Sequence, residues 1–216
     1  MAQSINMIND FTPINEIWKI KVRIILFWEV PNYKNPNVVD SIELVLVDEK
    51  GSRIQASIRK IIMQRFSNMV KEGWCHIIAN FGLISNNGKY RATNHSYKLN
   101  FFFKAVVREC EDVQLPLHGL NFTSFAQILK NEIDDSVLVG VIGEVTAIGD
   151  LMDVSKDSKP DYKLAIELDD LDKNTLKYNL WGNYAGEMSK YVNEDAEGLS
   201  YCNLLRLRFG KMRMMW

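Results

Sequence analysis

Hydrophobic and polar residues alternate along the first part of the chain, which is the pattern of strands that bury one face. In the stretch IWKIKVRI, the apolar residues Ile20, Val22 and Ile24 fall on one face and basic residues fall on the other. Two further strand-sized stretches, SIELVLVD and SRIQASIR, flank a DEKG segment suited to a tight hairpin turn. The period of two therefore predicts three strands, of which the last two form a hairpin.

A helical pattern follows the third strand. In KIIMQRFSNMVKEG, apolar residues such as Ile62 and Phe66 recur at helical spacing, and Gly73 stands where a C-terminal cap is expected. The hairpin signal Asn87-Gly88 then joins WCHIIANFGLIS to KYRATNHSYKLNFFFKAVV, which the pattern predicts to be a continuous strand. Three strands, a helix and a two-stranded hairpin are the element order of an oligonucleotide/oligosaccharide-binding (OB) barrel, whereas a β-sandwich usually needs about seven strands.

The second half of the chain repeats this order loosely. It offers a long strand with glycine kinks (SVLVGVIGEVTAIGDLMDV), two strands around DLDKN, a helix (GNYAGEMSKYVNEDAEG) and a final strand that turns into a basic segment. A returning strand should follow on the template of the first half, so we expect the second barrel to be truncated. The predicted fold class is all-β with short helices, as two tandem five-stranded OB-fold barrels. The predicted domains are residues 1–108 and 119–216, joined by a linker at 109–118.

Charge is distributed unevenly between the two halves. Residues 1–108 carry 15 Lys and Arg against 8 Asp and Glu, a net charge of +7, whereas residues 109–216 carry 11 against 19, a net charge of −8. A polyanionic partner is therefore expected to prefer the first half. The alternative is that a basic and an acidic domain merely offset each other for solubility.

The sequence contains no pattern typical of an enzyme or a metal site. Its three cysteines are far apart without a CxxC pair, and its three histidines form no HxH or HxxxH pattern. Phosphate-binding loops and nucleophile elbows are missing, and the acidic run IELDDLDKN is interpreted as a solvated hairpin turn in preference to a cation site. No apolar run is long enough to span a membrane, and no secretory signal is present. We therefore expect a non-catalytic protein of a reducing compartment, without cofactor, metal or membrane association.

The candidate binding residues lie on the solvent-facing side of the predicted closing hairpin, where Tyr90, Asn94 and Lys98 are evenly spaced. An OB barrel binds single-stranded nucleic acid across the outer face of its second and third strands. Bases stack on aromatic rings there, and lysine and arginine contact the phosphates. We therefore predict that Tyr90 stacks on a base, Asn94 hydrogen-bonds a base edge and Lys98 contacts a phosphate. The alternative is an ordinary solvated strand face.

The same geometry yields further candidates in the first half. Gln55 and Arg59 are predicted on the outward face of the third strand. Trp28 and Lys34 lie at the end of the first strand and in the loop after it, where they are placed to close over a ligand. For Trp28 the alternative is that the indole completes the barrel core.

The second half contributes one aromatic residue and one basic cluster. Trp181 ends a predicted strand just before the helix. Arg208 and Lys211 belong to a basic cluster near the end of the sequence, interleaved with Phe209 and Trp216. Basic residues with interspersed aromatics suit single-strand binding, although Phe209 fits a core position equally well.

Three stretches together resemble a known family. They are IWKIKVRIILFW with SIELVLVDEKGSRIQASI, then EGWCHIIANFGLISNNGKYRATNHSYKLNF, and finally LPLHGLNFTSF with DSVLVGVIGEV and LKYNLWGNYAGEM. These stretches are similar to the central tandem of DNA-binding barrels in the large (70 kDa) subunit of replication protein A, in its plant-type form. The likeness runs over nearly the whole chain from about Trp18.

The resemblance implies sequence-tolerant binding of single-stranded DNA in nuclear replication, repair or recombination. It also implies other replication protein A subunits or repair proteins as partners. By this resemblance Tyr90 and Trp181 fall at base-stacking positions, Lys98 at a ligand-facing position, and Gln55 where the family can carry a DNA-contacting basic residue. Arg59 departs from the pattern, because it occupies the first barrel's other stacking position.

Three alternatives stay open at the level of sequence. Stacking and phosphate contacts serve RNA as well as DNA. The barrels also suit a protein-interaction module, in which the acidic second half or an unpaired final strand recruits another chain. The third alternative is a degenerate fragment of a transposon-encoded or duplicated gene, which would fit the abrupt end.

Overall fold

The computed structural model of this chain describes residues 4–12, 17–88, 90–111, 115–116, 122–134, 136–154 and 161–194. The chain divides into two units. The first unit comprises Met1–Leu120 with Asp134–Leu138, and the second comprises Asn121–Ile133 with Val139–Trp216.

The described residues of the first unit form seven strands and one α-helix. Its elements in chain order are β1 (Lys19–Pro31), β2 (Val39–Val47), β3 (Arg53–Arg59), α1 (Lys60–Phe66), β4 (Cys75–Ala79), β5 (Gly82–Ser85), β6 (Tyr97–Asn100) and β7 (Val106–Glu109). Short 3-10 turns at Ile8–Asp10 and Ser67–Met69 precede β1 and follow α1. The predicted order of three strands, a helix and a closing hairpin is confirmed.

The sheet of the first unit curls back on itself. Its strand order is β5-β6-β3-β2-β1-β4-β7, in which β3 and β6 are parallel and the other neighbours antiparallel. β4 and β5 follow each other across Asn80, whose φ of 59° breaks the extended segment, and β6 and β7 follow each other across residues 101–105. The two long arms of the closing hairpin thus pair at both ends of the sheet. This closure is the OB arrangement.

The barrel core comes from the inward positions of the alternating strands. Ile20, Val22 and Ile24 on β1 and Ile54 and Ile58 on β3 are fully buried in one apolar cluster. Such alternation buries one side of each strand and leaves the other side for polar residues. The helix α1 adds Ile62 and Phe66 to the same cluster. The helix ends at Phe66, short of the predicted stretch, and Gly73 adopts a positive φ of 88° in the turn before β4.

The continuous strand predicted after Asn87-Gly88 is wrong. Residues 86–88 and 90–96 form an irregular segment, named here the cover loop, and β6 begins only at Tyr97. The Asn86 side chain donates to the carbonyl oxygens of Thr93 and His95, and the His95 ring contacts the carbonyl oxygen of Tyr97. Hydrogen bonds between side chains and backbone groups compete with the hydrogen bonds of a strand ladder.

The second unit repeats the order of three strands followed by a helix. Its elements are α2 (Phe125–Leu129), β8 (Glu144–Asp153), β9 (Tyr162–Asp169), β10 (Thr175–Trp181) and α3 (Asn183–Glu194), and the antiparallel sheet order is β10-β9-β8. Its core is a separate apolar cluster that includes Phe125, Leu164, Ile166 and Leu180. The long strand predicted from Ser136 starts only at Glu144. The predicted final strand and its truncation lie outside the described residues.

Candidate nucleic-acid interface

The outer face of β1, β2 and β3 brings several of the predicted residues together. Cross-strand pairing arranges this face in three rows, Val30–Ser41–Arg59, Trp28–Glu43–Ser57 and Leu26–Val45–Gln55. Lys98 reaches the middle row from β6, the neighbour of β3 in the sheet. The face is therefore a mixed polar and apolar surface with basic and aromatic residues around its middle row.

Glu43 stands at the centre of this face and organises the polar groups around it. Its Oε1 accepts hydrogen bonds from the hydroxyls of Ser41 (3.0 Å) and Ser57 (2.5 Å). Its Oε2 accepts from Gln55 Nε2 (2.8 Å) and lies 2.7 Å from Lys98 Nζ. Glu43 was missed by the sequence reasoning, although the alternation in SIELVLVD places it outward and opposite the third strand.

Gln55 lies on the predicted face but not at its surface. It is only 8% exposed, because the cover loop lies above it and the Ala92 N–H donates to Gln55 Oε1 over 3.3 Å. The other end of the amide is occupied by Glu43. Gln55 is therefore on the predicted outward face but covered by the cover loop, and a contact between Gln55 and DNA stays a prediction.

Tyr90, Asn94 and Lys98 do not line one strand. Tyr90 and Asn94 belong to the cover loop, where Tyr90 is 64% exposed and Asn94 is also exposed. Lys98 is on β6, and its side chain is 20% exposed in the ion pair with Glu43. The even spacing that drew attention to these residues therefore reflects a loop and a strand, and only Tyr90 and Asn94 present open side chains.

Trp28 lies on the outer face and not in the barrel core. A register shift between Ile24 and Leu26 changes which side chains of β1 point outward. Beyond it Trp28 is half-buried against an outer cluster of Ile25, Val45, Val47, Leu26 and Ala92. The indole therefore packs between the strands and the cover loop, and part of its surface stays open.

Two basic side chains lie at the Ser41 end of the face. Lys34 is exposed in the loop between β1 and β2, which Asn32 holds in shape by accepting from the N–H groups of Lys34 and Asn35, both over 2.9 Å. Tyr33 in the same loop is 93% exposed. Arg59 is exposed where β3 meets α1.

The cover loop is also held by a segment from further along the chain. Arg91 pairs with Val137 in a parallel bridge, and its guanidinium lies 2.6 Å from Asp134 Oδ2 and 2.8 Å from the Ser136 hydroxyl. Hydrogen bonds from Ser136, together with the Arg91 charge, hold the pKa of Asp134 below its usual value. No sequence pattern pointed to this contact, because it joins residues more than forty positions apart.

In the second unit Trp181 pairs across the sheet with Lys163 and is half-buried. The Lys163 ammonium lies 5.7 Å from the centroid of the indole ring, within reach of a cation–π contact. The indole N–H is buried without a hydrogen-bond partner. A stacking role for Trp181 stays a prediction, and the predicted cluster of Arg208 and Lys211 lies outside the described residues.

Metal sites and membrane spans are the other features that would bear on function. The described parts of the chain bring no three histidine, cysteine or acidic side chains together in a way that would hold a metal ion. Within the same ranges no helix has the length and apolar character needed to cross a membrane.

The closed strand order of the first unit and the repeated three-strand-and-helix order of the second define an OB-fold protein. The chain belongs to the family described as domain of unknown function DUF223, whose model matches residues 9–131.

Relatives and one solved structure agree with this assignment. The chain is 23% identical over 215 residues to a replication protein A 70 kDa DNA-binding subunit of Arabidopsis thaliana, covering 97% of this chain and 35% of that protein. It is 27% identical over 191 residues to the corresponding protein of Oryza sativa subsp. japonica, covering 86% and 30%. The structure of a replication protein A heterotrimer bound to ssDNA matches with a TM-score of 0.54 and 20% identity, over 86% of this chain and 43% of that chain. The resemblance and the OB fold are confirmed, and the chain spans about a third of the length of both relatives.

Proposed function

We propose that this protein binds single-stranded DNA, with little sequence preference, across the outer face of β1, β2 and β3. The observation that carries the proposal is the set of open aromatic and basic side chains around that face: Tyr90 in the cover loop, Lys34 beside β1, and Arg59 at the end of β3. The relatives are named as DNA-binding subunits, which supports DNA as the ligand.

The chemistry of each residue follows from its exposure. Tyr90 stacks on one base, which contributes about 1–3 kcal/mol per base and tolerates any sequence because every base has a π-face. Arg59 and Lys34 neutralise phosphates, which makes binding depend on salt. Asn94 hydrogen-bonds a base edge from the cover loop, and the open part of Trp28 offers a second apolar surface.

The relatives also support a wider role. The protein is a non-catalytic binding protein of the replication protein A large-subunit type, which acts in the nucleus in replication, repair or recombination. Its partners are other replication protein A subunits or repair proteins. The division into residues 1–108 and 119–216, joined by 109–118, and the contributions of Trp181, Arg208 and Lys211 are part of this proposal.

The test is a titration of a fluorescently labelled oligo-dT strand followed by anisotropy. Wild type is expected to bind the single strand and to bind a duplex of the same length more weakly. Tyr90→Ala is expected to weaken binding by about 5- to 150-fold, the equivalent of one stacking contact. An oligo-rU strand of the same length distinguishes RNA from DNA.

The matched control is Phe103→Ala, which removes an exposed aromatic ring that contacts Arg65 and lies outside the face. This variant should bind like wild type. Equal effects of the two substitutions would show that the face is misplaced. Failure of wild type to bind at low salt would overturn the proposal and leave the protein-interaction module as the better interpretation.

A further inference from the structure

The outer face carries an unexpected negative charge where single-strand binding is proposed. Glu43 is one of the few buried charged side chains of the described residues, and it lies in the middle row of the face. Lys98, the lysine nearest to it, is held 2.7 Å from its Oε2. Because both side chains are largely removed from water, their charges couple more strongly than those of an exposed pair and cancel locally.

The Glu43 carboxylate is fixed in place by more than this lysine. Ser41, Ser57 and Gln55 donate hydrogen bonds to it from the same and the neighbouring strand. If Lys98 turned away towards a phosphate, it would leave a buried carboxylate without its counter-charge, which is costly. Lys98 is therefore committed to Glu43 in the protein as it stands.

The consequence for a bound strand is a division of the face. A phosphate placed at the centre would meet the neutral Glu43–Lys98 ion pair, so it would lose hydration without gaining a counter-charge. An uncharged base meets no such penalty there and finds the half-buried Trp28 in the same row as Glu43. The exposed cations Arg59 and Lys34 lie towards the Ser41 end, away from this centre.

We infer that Glu43 determines how the strand lies on this face. By neutralising Lys98 it excludes phosphates from the centre, so that bases lie over the Trp28–Glu43–Ser57 row and phosphates lie at Arg59 and Lys34. Glu43 thus sets the charge that the site presents, and with it the salt dependence of binding. This inference rests on the proposed function.

The experiment measures the affinity for oligo-dT across a series of NaCl concentrations. It uses wild type, Glu43→Gln, Lys98→Met and the double variant. The control is Glu49→Gln, which makes the same charge change in the same unit at an exposed position between β2 and β3. The net charge of the protein is then equal in the two glutamine variants, whereas only Glu43 lies beside Lys98.

Glu43→Gln is expected to release the charge of Lys98 for one more phosphate. The slope of log affinity against log salt should then steepen by about 0.7, so that between roughly 1 M and 0.1 M salt the affinity of Glu43→Gln should rise by about fivefold more than that of wild type. Lys98→Met alone should leave the wild-type slope unchanged, whereas in the double variant it should remove the added slope. Glu49→Gln should leave the slope as in wild type.

Two results would overturn the inference while leaving the proposed function standing. One is a Glu43→Gln protein that is folded and has the same slope as Glu49→Gln. The other is a shallower slope for Lys98→Met alone, which would make Lys98 a phosphate contact despite Glu43. If Glu43→Gln fails to fold, as judged by its thermal melt, the Lys98→Met slope decides the question by itself. If no variant and no wild type binds, the proposed function fails and this inference fails with it.

Discussion

Replacement of Gln55 by leucine tests how the outer face is held together. Gln55 donates to Glu43 Oε2 over 2.8 Å and accepts from the Ala92 N–H over 3.3 Å, and leucine can do neither. A hydrogen bond to a charged group contributes about 1.5–3 kcal/mol, and loss of the bond to Ala92 adds about 0.5–1.5 kcal/mol. Burial of the leucine side chain recovers part of this free energy. We therefore expect the free energy of unfolding of the first unit to fall by roughly 2–3 kcal/mol.

Hydrogen exchange followed by mass spectrometry measures this loss for each unit separately. Peptides of the cover loop should exchange faster in Gln55→Leu, since Ala92 loses its acceptor, and the melting temperature of the first unit should fall by roughly 8–12 °C. Gln64→Leu is the matched control, because Gln64 is exposed on α1 and the same change there should stay within about 0.5 kcal/mol. If Gln55→Leu is as stable as Gln64→Leu and the cover loop exchanges as in wild type, the network around Glu43 does not hold the face.

Two further predictions concern stability. Gly143→Ala should destabilise the second unit by about 1–3 kcal/mol in thermal melts, because its Cβ would lie 2.7 Å from the Phe125 ring and 2.8 Å from the Asp169 carbonyl oxygen. The control Gly149→Ala, whose Cβ would have no neighbour nearer than 3.5 Å, should be nearly neutral. Equal effects of the two substitutions would contradict this packing. Burial holds the pKa of His76 below its ordinary value of 6.5. Below about pH 6.5 the unfolded chain therefore binds a proton at His76 more readily than the folded chain does. The free energy of unfolding is therefore unaffected by His76 above this pH and decreases as the pH falls below it. The free energy of unfolding should be lower at about pH 5.5 than at about pH 7.5 in wild type, and this difference should be smaller in His76→Phe. The same difference in both proteins would refute the prediction.

The alternation of the sequence predicted the barrel because each strand has one buried face. Ile20, Val22 and Ile24 are buried as their spacing indicated, and the helix follows β3 as expected. Closure of the sheet by the two arms of the hairpin also follows from the element order of the OB fold. These features depend on local patterns, which can be read from one stretch of chain at a time.

The candidate site depends on contacts that no local pattern contains. Alternation placed Gln55 on the outer face, but the cover loop buries it. The loop residue that contacts Gln55 is Ala92, 37 positions further along the chain. A register shift after Ile24 decides where Trp28 points, and regular spacing cannot reveal such a shift. The side-chain hydrogen bonds of Asn86 stabilise a loop where the pattern predicted a strand, and Tyr90 lies in that loop.

The direct test of the central claim is photocrosslinking of oligo-dT to the full chain, with the adducts located by mass spectrometry. The account predicts adducts concentrated on Tyr90 and its neighbours in the cover loop and on the Lys34 loop, and their loss when unlabelled single strand competes. Adducts confined to the second unit, or spread over the first unit without preference for these loops, would contradict the assignment of the binding face.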